Sequence, residues 1–333
     1  MVTNPLVSII VPNYNGLRWL GPCLTTITAQ TYQPIEIIVV DNASTDASCE
    51  FIRANFPGVR ILRLPQNCGY AGANNHAARA ARGDFLLFLN NDTKLAPNAV
   101  AELVTALLRD PKAAIAAPRI TDYDGTAPGT CGMSLDIFGY PYAPAAGESL
   151  FYADGAAFLI RHDVFEALGG FDEDYFLFYE DMDLSWRTWL AGYTIIPVST
   201  ALVNHYGSGS APGGRIKEGT FATTPQRRYL GERNRLTNLL KNFGFRTLIW
   251  ILPCYIAMTA AAALLLAATG RWQLALAYPK AYWWNVTHLR RTMYKRSGVQ
   301  QSRKVPDREI MSRMHKGSAE FALLQSHGLP RVL

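Results

Sequence analysis

The sequence lacks several patterns that would identify a function by themselves. Its five cysteines are scattered and have no metal-ligand spacing, which favours a reducing compartment. The first half has no G-x-G-x-x-G, since Gly69 and Gly72 have another spacing, and this argues against a dinucleotide-binding fingerprint. The N-terminal apolar run is short and no basic region precedes it, so we expect no signal peptide.

Charged residues are also sparse. The chain has 333 residues, of which 49% are hydrophobic and 17% charged, with a formal net charge of +6. A modest basic excess fits either a polyanionic ligand or an anionic membrane surface and does not choose between them. The length allows one large domain with an appendage, or two domains.

The longest gap in charge lies between Arg246 and Arg271, where 24 residues carry none. This run is long enough to cross a bilayer, yet both of its flanks are basic, which disfavours a single pass. We favour a membrane-embedded or re-entrant element, with Pro253 helping to break the helix. A true span and a helix buried in a soluble protein or an oligomer remain the alternatives.

The first half alternates strand and helix patterns. Short β-branched runs such as "LVSIIVP", "IEIIVVD" and "DFLLFLN" predict buried strands, separated by segments with helical spacing. This order predicts a mostly parallel α/β sheet with helices on both faces. Ligands of such sheets bind beyond the carboxyl ends of the strands, where Asn15, Asp41 and Asp92 fall.

Each of these strand-end residues has an ordinary structural interpretation. Asn and Asp are common in turns, and Asp41 would cap the turn after its strand. Alternatively, Asp41 accepts hydrogen bonds from a ribose or base, and Asp92 binds Mg²⁺ or Mn²⁺ on a phosphate.

The segment "YFLFYEDMD" places acids beside an aromatic wall. A helix over 180–190 ending near Gly192 would pair Asp183 with Arg187 and leave Glu180 and Asp181 partly desolvated. Desolvation raises a carboxyl pKa towards that of a useful general base. His205 ends the next predicted strand, where it is either structural or a ligand that completes a metal site.

These pieces together resemble glycosyltransferase family 2, the inverting enzymes with the GT-A fold. The resemblance covers roughly residues 6 to 210 and rests on "VSIIVPNYNG", "IIVVDNASTD", "NCGYAGANNHAARAARGDFLLFLNND", "GGFDEDYFLFYEDMDLSWRTWLAGY" and "NHYGSGS", in the family's order. Within the family the chain is most similar to bacterial rhamnosyltransferase-type enzymes of surface-polysaccharide assembly.

The resemblance implies roles for particular residues. Asp181 would be the general base, with Glu180 beside it. Asn90-Asn91-Asp92 occupies the Asp-x-Asp position, so Asp92 would hold Mg²⁺ or Mn²⁺ on the donor diphosphate with His205 as a further ligand. Asn90 stands where the family has its first acid and adds no charge. The remaining donor-binding residues would be Pro12, Asn15, Asp41, Asn67, Asn90, Asn91 and Arg233.

The implied reaction moves a sugar, with rhamnose as the family-level candidate, from a dTDP- or UDP-sugar to a lipid-linked or polysaccharide acceptor at the cytoplasmic face of the membrane. We expect a GT-A catalytic domain over 1–210, a lid loop and basic helix over 211–245, and a helical membrane-associated region over 246–333. No nucleic-acid partner is expected. The rivals are a polyprenyl-phosphate sugar transferase and an inactive nucleotide-sugar-binding scaffold.

Overall fold

The computed structural model describes residues 4–144, 148–207, 215–217 and 220–333. The strands are β1 Val7–Asn13, β2 Ile35–Asp41, β3 Arg60–Arg63, β4 Phe85–Leu89, β5 Thr93–Leu95, β6 Ala113–Asp122, β7 Thr130–Cys131, β8 Ser134–Leu135, β9 Pro141–Tyr142, β10 Ala157–Arg161, β11 Thr194–His205, β12 Arg215–Lys217, β13 Thr220–Thr223 and β14 Arg331–Val332. The helices are α1 Leu17–Thr28, α2 Ser48–Asn55, α3 Gly69–Ala80, α4 Ala99–Arg109, α5 His162–Ala167, α6 Glu180–Leu190, α7 Pro225–Asn242, α8 Phe245–Ala268, α9 Trp272–Ala275, α10 Ala277–Thr287, α11 Leu289–Gln301, α12 Asp307–Ser312 and α13 Ala319–His327.

A nine-stranded mixed sheet forms the centre of the molecule. Its order is β3-β2-β1-β4-β10-β6-β11-β5, with β7 added beside β6. The first four strands are parallel, β10 is antiparallel to both of its neighbours, and β5 is antiparallel to β11. The prediction of a mostly parallel α/β sheet flanked by helices is therefore confirmed.

Both faces of this sheet are covered, because alternate residues of each buried strand point to opposite sides. In β1, Ile10 lies in one apolar cluster while Ile9 and Val11 lie in the other. Residues of α1 and α4 fill the second cluster. The first cluster contains residues of α6, α7, α8 and α11, so C-terminal helices share a core with the central sheet.

Most predicted elements lie where the sequence places them, and helix α6 covers 180–190 as expected. Helix α2 begins at Ser48, and its N-cap residue Ala47 has no capping side chain. The side chain of Asp46 takes over, accepting a hydrogen bond from the Ser48 backbone N–H at 3.2 Å.

The apolar segment differs from the prediction in one respect. Helix α8 runs unbroken over Phe245–Ala268 with Pro253 inside it, so the expected break at this proline is wrong. By length and composition it is a helix that could cross a membrane. Of the predicted lid loop and basic helix over 211–245, residues 211–214 and 218–219 lie outside the described residues.

Candidate active site

The carboxyl ends of the first parallel strands meet in one polar floor. The register of β1 and β2 sets Asn13 beside Asp41. Asn91, just after β4, donates a hydrogen bond from Nδ2 to Oδ1 of Asn13 at 2.8 Å. Gly16 leaves room for this bond, since a Cβ there would lie 2.1 Å from Nδ2 of Asn91. Asn13 and Gly16, the first and last residues of the "NYNG" stretch, thus serve the packing of the strand ends.

Asp41 lies at the bottom of this floor with 1% of its surface exposed. Its Oδ1 accepts a hydrogen bond from the backbone N–H of Ser44 at 3.2 Å. Its Oδ2 lies 3.4 Å from Nε of Arg63 without hydrogen-bond geometry, so this buried acceptor has unused capacity within the described chain. A cavity of about 450 Å³ opens beside it, lined by Ala43, Ser44, Arg63, Leu64 and Pro65. Arg63 was not predicted, because an arginine ending an edge strand carries no chemical signature.

Three other predicted donor-binding residues, Asn15, Asn67 and Pro12, do not line this cavity. Asn15 has a positive φ of 50°. Its Oδ1 accepts a hydrogen bond from the Thr45 backbone N–H at 2.8 Å. Asn67 is exposed, and its Oδ1 accepts hydrogen bonds at 2.9 Å from the Asn42 side chain and from the Gly69 backbone. Pro12 lies in β1, opposite Val40 of β2. Their contacts with a donor remain predictions.

Asp92 and His205 lie together, as their predicted shared role requires. Strand β5 pairs with β11 so that His205 lies opposite Thr93. Nε2 of His205 is then 3.2 Å from Oδ1 of Asp92, and Asp92 is 6% exposed. A carboxylate oxygen and an imidazole nitrogen are a donor set that suits Mn²⁺ and tolerates Mg²⁺. No group of three such ligands occurs among the described residues, so an ion here would need oxygens from a phosphate ligand.

Asp181 has the environment of a general base. Its two oxygens accept hydrogen bonds at 2.7 Å from the backbone N–H groups of Gly155 and Met182. Burial, followed by the nearby negative charge of Asp154, raises the pKa of Asp181 to about 7. The predicted effect of desolvation on the pKa of this carboxyl is therefore present.

Glu180 is buried more deeply than Asp181, with 5% of its surface exposed. Burial and the neighbouring Asp181 charge raise the pKa of Glu180 well above its ordinary value. Its Oε2 has no hydrogen-bond partner within the described part of the chain. Glu180 therefore favours its neutral form more strongly than an exposed glutamate does.

One turn joins Asp181 to the strand end that bears Asp92. The backbone N–H of Asn90 donates to the carbonyl of Ala156 at 2.9 Å, and the next residue back, Gly155, donates to Asp181. The Tyr70 hydroxyl donates to the Gly155 carbonyl at 2.6 Å and fixes this turn. Sequence reasoning missed Asp154, Gly155 and Tyr70, because a turn before a strand and an aromatic in a helix are unremarkable patterns.

The backbone leading to the base is strained. Phe176, Phe178 and Tyr179 have positive φ values of 61°, 70° and 70°. Bulky residues rarely adopt this conformation, which costs about 1–3 kcal/mol each and persists only when surrounding groups enforce it. The strained residues directly precede Glu180 and Asp181.

Helix α7 supplies the enforcing groups. Nδ2 of Asn234 lies within hydrogen-bonding distance of three carbonyl oxygens, those of Tyr175 at 3.1 Å, Leu177 at 3.0 Å and Phe178 at 2.7 Å. Arg233 donates to the Asp174 and Tyr175 carbonyls at 3.0 and 2.7 Å. The guanidinium of Arg233 is therefore engaged with the protein backbone, while its predicted contact with the donor remains untested.

A buried ion network anchors the same region. Asp183 pairs with Arg187 at 2.8 Å, as the helical spacing predicts, and with Nζ of Lys241 at 2.7 Å. Lys241 also contacts Asp172 at 2.7 Å, and Lys295 of α11 contacts Asp172 as well. Residues far apart in the chain thus hold the acidic segment from both sides.

Comparison with known proteins agrees with this geometry. Residues 8–169 match the sequence model of the Glycosyl transferase family 2 domain. The chain is 27% identical over 233 residues to N-acetylglucosaminyl-diphospho-decaprenol L-rhamnosyltransferase of Mycobacterium tuberculosis, covering 60% of this chain and 76% of that protein. It is 28% identical over 215 residues to the O-antigen chain rhamnosyltransferase WbaN of Salmonella anatum, covering 60% of this chain and 66% of that one.

Solved structures share the fold at low sequence identity. A mannosyltransferase of Pyrobaculum calidifontis, solved with GDP-Man and Mn²⁺, aligns with a TM-score of 0.51 and 21% identity over 90% of this chain and 86% of its own. GalNAc-T7, solved with UDP, GalNAc and Mn²⁺, aligns with a TM-score of 0.56 and 18% identity over 71% of this chain and 48% of its own. The chain has a GT-A-type sheet and, over residues 8–169, a Glycosyl transferase family 2 domain, so it is a glycosyltransferase.

Proposed function

We propose that this protein transfers a sugar, with inversion, from a nucleotide-diphosphate donor to a hydroxyl of a lipid-linked or polysaccharide acceptor in cell-envelope glycan synthesis, at the cytoplasmic face of the membrane. The observation that carries the proposal is Asp181, a half-buried carboxyl whose pKa is raised to about 7 by burial and by Asp154. It is joined by a single turn to the strand end that bears Asp92.

The donor would lie along the carboxyl ends of β1, β2 and β4. The unused Oδ2 of Asp41 and the adjacent cavity fit a nucleoside, with Arg63 at its rim. Asp92 and His205 would hold Mg²⁺ or Mn²⁺, which when bound supplies positive charge to the leaving diphosphate. The donor would be a dTDP- or UDP-sugar, and the rhamnosyltransferases among the relatives make rhamnose the first candidate sugar.

Asp181 would accept the proton of the acceptor hydroxyl as the acceptor oxygen bonds to the anomeric carbon. The bond from that carbon to the diphosphate oxygen breaks on the opposite face, which inverts the configuration. The nucleoside diphosphate leaves without needing a proton, so one base suffices. The backbone N–H groups of Gly155 and Met182 orient the carboxylate for this step.

A polyprenyl phosphate acceptor is the alternative within enzymes. A phosphate oxygen is already ionised and needs no base, so this reaction would leave the placement of Asp181 without use. The orienting bonds and the raised pKa of Asp181 favour a hydroxyl acceptor.

The test is a screen of sugar nucleotides for protection of the purified protein against thermal unfolding, with and without Mn²⁺. A bound donor raises the apparent melting temperature by mass action. The selected donor is then assayed with a lipid-linked glycan and with polyprenyl phosphate. Transfer to the glycan that Asp181→Asn abolishes supports the proposal. Near-full transfer to polyprenyl phosphate by that variant would establish the alternative.

A further inference from the structure

Helix α8 is fastened to the protein along one side. Its buried residues include Leu248, Ile251, Tyr255, Thr259 and Leu266, whose spacing places them on a single stripe. This stripe contacts polar groups of α7 and α10. The Tyr255 hydroxyl lies 3.4 Å from Oε2 of Glu232, and the Thr259 hydroxyl lies 2.6 Å from that of Tyr282.

The ends of α8 are fastened as well. The Thr247 hydroxyl donates to the Asp307 carboxylate at 2.5 Å, and Leu266 belongs to an apolar cluster with Leu274 and Tyr278. A helix crossing a bilayer would carry the groups bound to its middle, including the charged Glu232, into hydrocarbon at a large free-energy cost. The contacts therefore disfavour a span for this helix.

The opposite side of α8 is apolar and exposed. Only 22% of its most apolar stretch is buried. Ile249 is 62% exposed, Trp250 44%, Ile256 49% and Leu264 71%, and the only charged residue of the helix is Arg246 in its first turn. Trp272, in the adjoining α9, is 62% exposed. A helix that is apolar all round is normally covered, so this face needs a partner.

The charges around α8 indicate the partner. The sequence has no acidic residue between Glu232 and Asp307, whereas Arg246, Lys280 and Arg290 are exposed. Exposed tryptophans in a segment whose own charged residues are all cationic are typical of helices that lie in the headgroup region of an anionic membrane. A second copy of the chain on this face would bring cationic rims together, which disfavours a dimer.

We propose that the outer face of α8, formed by Ile249, Trp250, Ile256 and Leu264, docks in the plane of an anionic bilayer while the inner stripe keeps its contacts with α7 and α10. This deepens the membrane location in the proposed function. Vesicle binding needs no sugar transfer, so failure of docking and failure of catalysis would be observed separately.

The first experiment measures flotation of the full chain with phosphatidylcholine vesicles and with vesicles that also contain phosphatidylglycerol. Leu264→Glu should lower the vesicle partition coefficient at least tenfold. The matched control is Leu108→Glu on α4, a leucine that is 53% exposed and should leave partitioning unchanged. Lys280→Gln combined with Arg290→Gln should weaken binding to the anionic vesicles alone, by about fivefold per charge.

The second experiment measures the depth of α8. Cys254 is exposed, whereas Cys68 and Cys131 are intermediate and can be replaced by serine before an environment-sensitive dye is attached. A second label is attached through Ala268→Cys, about 21 Å further along the helix axis. Quenching by lipids brominated at different depths should place both labels equally shallow.

Four outcomes would overturn the proposal. If the protein binds neither the neutral nor the anionic vesicles, a membrane surface is excluded as the partner of this face. A label on Cys254 that lies deep in the bilayer, together with a label at residue 268 near the bilayer surface, indicates a span. A dimer that sediments without vesicles and dissociates on Leu264→Glu assigns the face to a second copy. Equal weakening by Leu264→Glu and Leu108→Glu would also remove the specific role of α8.

Discussion

The two halves of the proposed active site, the donor half and the base half, are held in different ways. In the donor half, strand-end residues bond to other strand-end turns: Asn91 to Asn13, and Asp41 to Ser44 three residues on. In the base half, a strained backbone is held by Asn234 of α7, and its acids pair with Lys241 of α7. The geometry of the donor half therefore depends on the sheet itself, while that of the base half depends on helices that follow much later in the chain.

The largest effect is expected in the base half. Asp181→Asn removes the proton acceptor and should lower kcat by about 10²–10⁴-fold. Donor protection against thermal unfolding should stay, because Asp41 and Asp92 belong to the other half. Steady-state kinetics and thermal shift on the same preparation check this, and a variant that also loses donor protection would show that the halves are not separable.

In the donor half, Asp92→Asn should remove the Mn²⁺-dependent part of donor protection and lower turnover by about 10²–10³-fold, the usual effect of losing one electrostatic stabiliser. Isothermal titration with the nucleoside diphosphate, with and without Mn²⁺, measures the binding part. Affinity that depends on Mn²⁺ as in the parent protein would contradict the role of Asp92. The stability without ligand should change little, which separates this variant from those of the base half.

Asn234→Ala sharpens the comparison most directly. It leaves carbonyls of the strained segment without their donor and should cost about 1–3 kcal/mol of unfolding free energy. We expect kcat to fall about tenfold while donor affinity holds, since Asp181 shifts when 175–178 relaxes.

The matched control for this variant is Asn285→Ala. Asn285 is 3% exposed and Asn234 1%. The amide of Asn285 donates to the carbonyls of Arg233 and Ala281, outside the strained segment. It should lower stability by a similar amount and leave kcat near that of the parent. Equal loss of kcat in both variants would assign Asn234 a purely structural role.

The smallest effect concerns pH. The Asp154 charge contributes to the raised pKa of Asp181, second to burial. Asp154→Asn should therefore lower that pKa while leaving it above the ordinary value. Because the base works when ionised, activity rises through its pKa, and the acid limb of kcat/KM should move to lower pH. The rate above pH 8 should be unchanged, and an unmoved acid limb would exclude Asp154 as a source of the shift.

The donor half could be predicted from the sequence because its residues follow recognisable strands. Asn15, Asp41 and Asp92 each come directly after a β-branched run, and parallel register brings such ends together. Likewise, the position of His205 at the end of a predicted strand places it beside Asp92. The family 2 domain over residues 8–169 could be read from the order of the motifs.

The support of the base half could not be predicted. The polar residues of "RNRLTNLLKN" have no apolar period, yet Arg233, Asn234, Lys241 and Asn242 are all buried. Their partners lie some sixty residues earlier in the chain, as in the 59-residue separation of Asn234 and Tyr175. Local patterns carry no information about such distant pairing, and the continuous helix through Pro253 follows from the same kind of tertiary packing.

The left-handed segment before the base has a consequence for selection experiments. Gly at 176, 178 or 179 would relieve the backbone strain and should be recovered in searches for thermostable variants. The same relief would let the backbone before Glu180 sample other conformations, so these gains should coincide with slower turnover. Phe176, Phe178 and Tyr179 are thus positions where stability and activity compete, and pooled libraries scored for both properties should separate there.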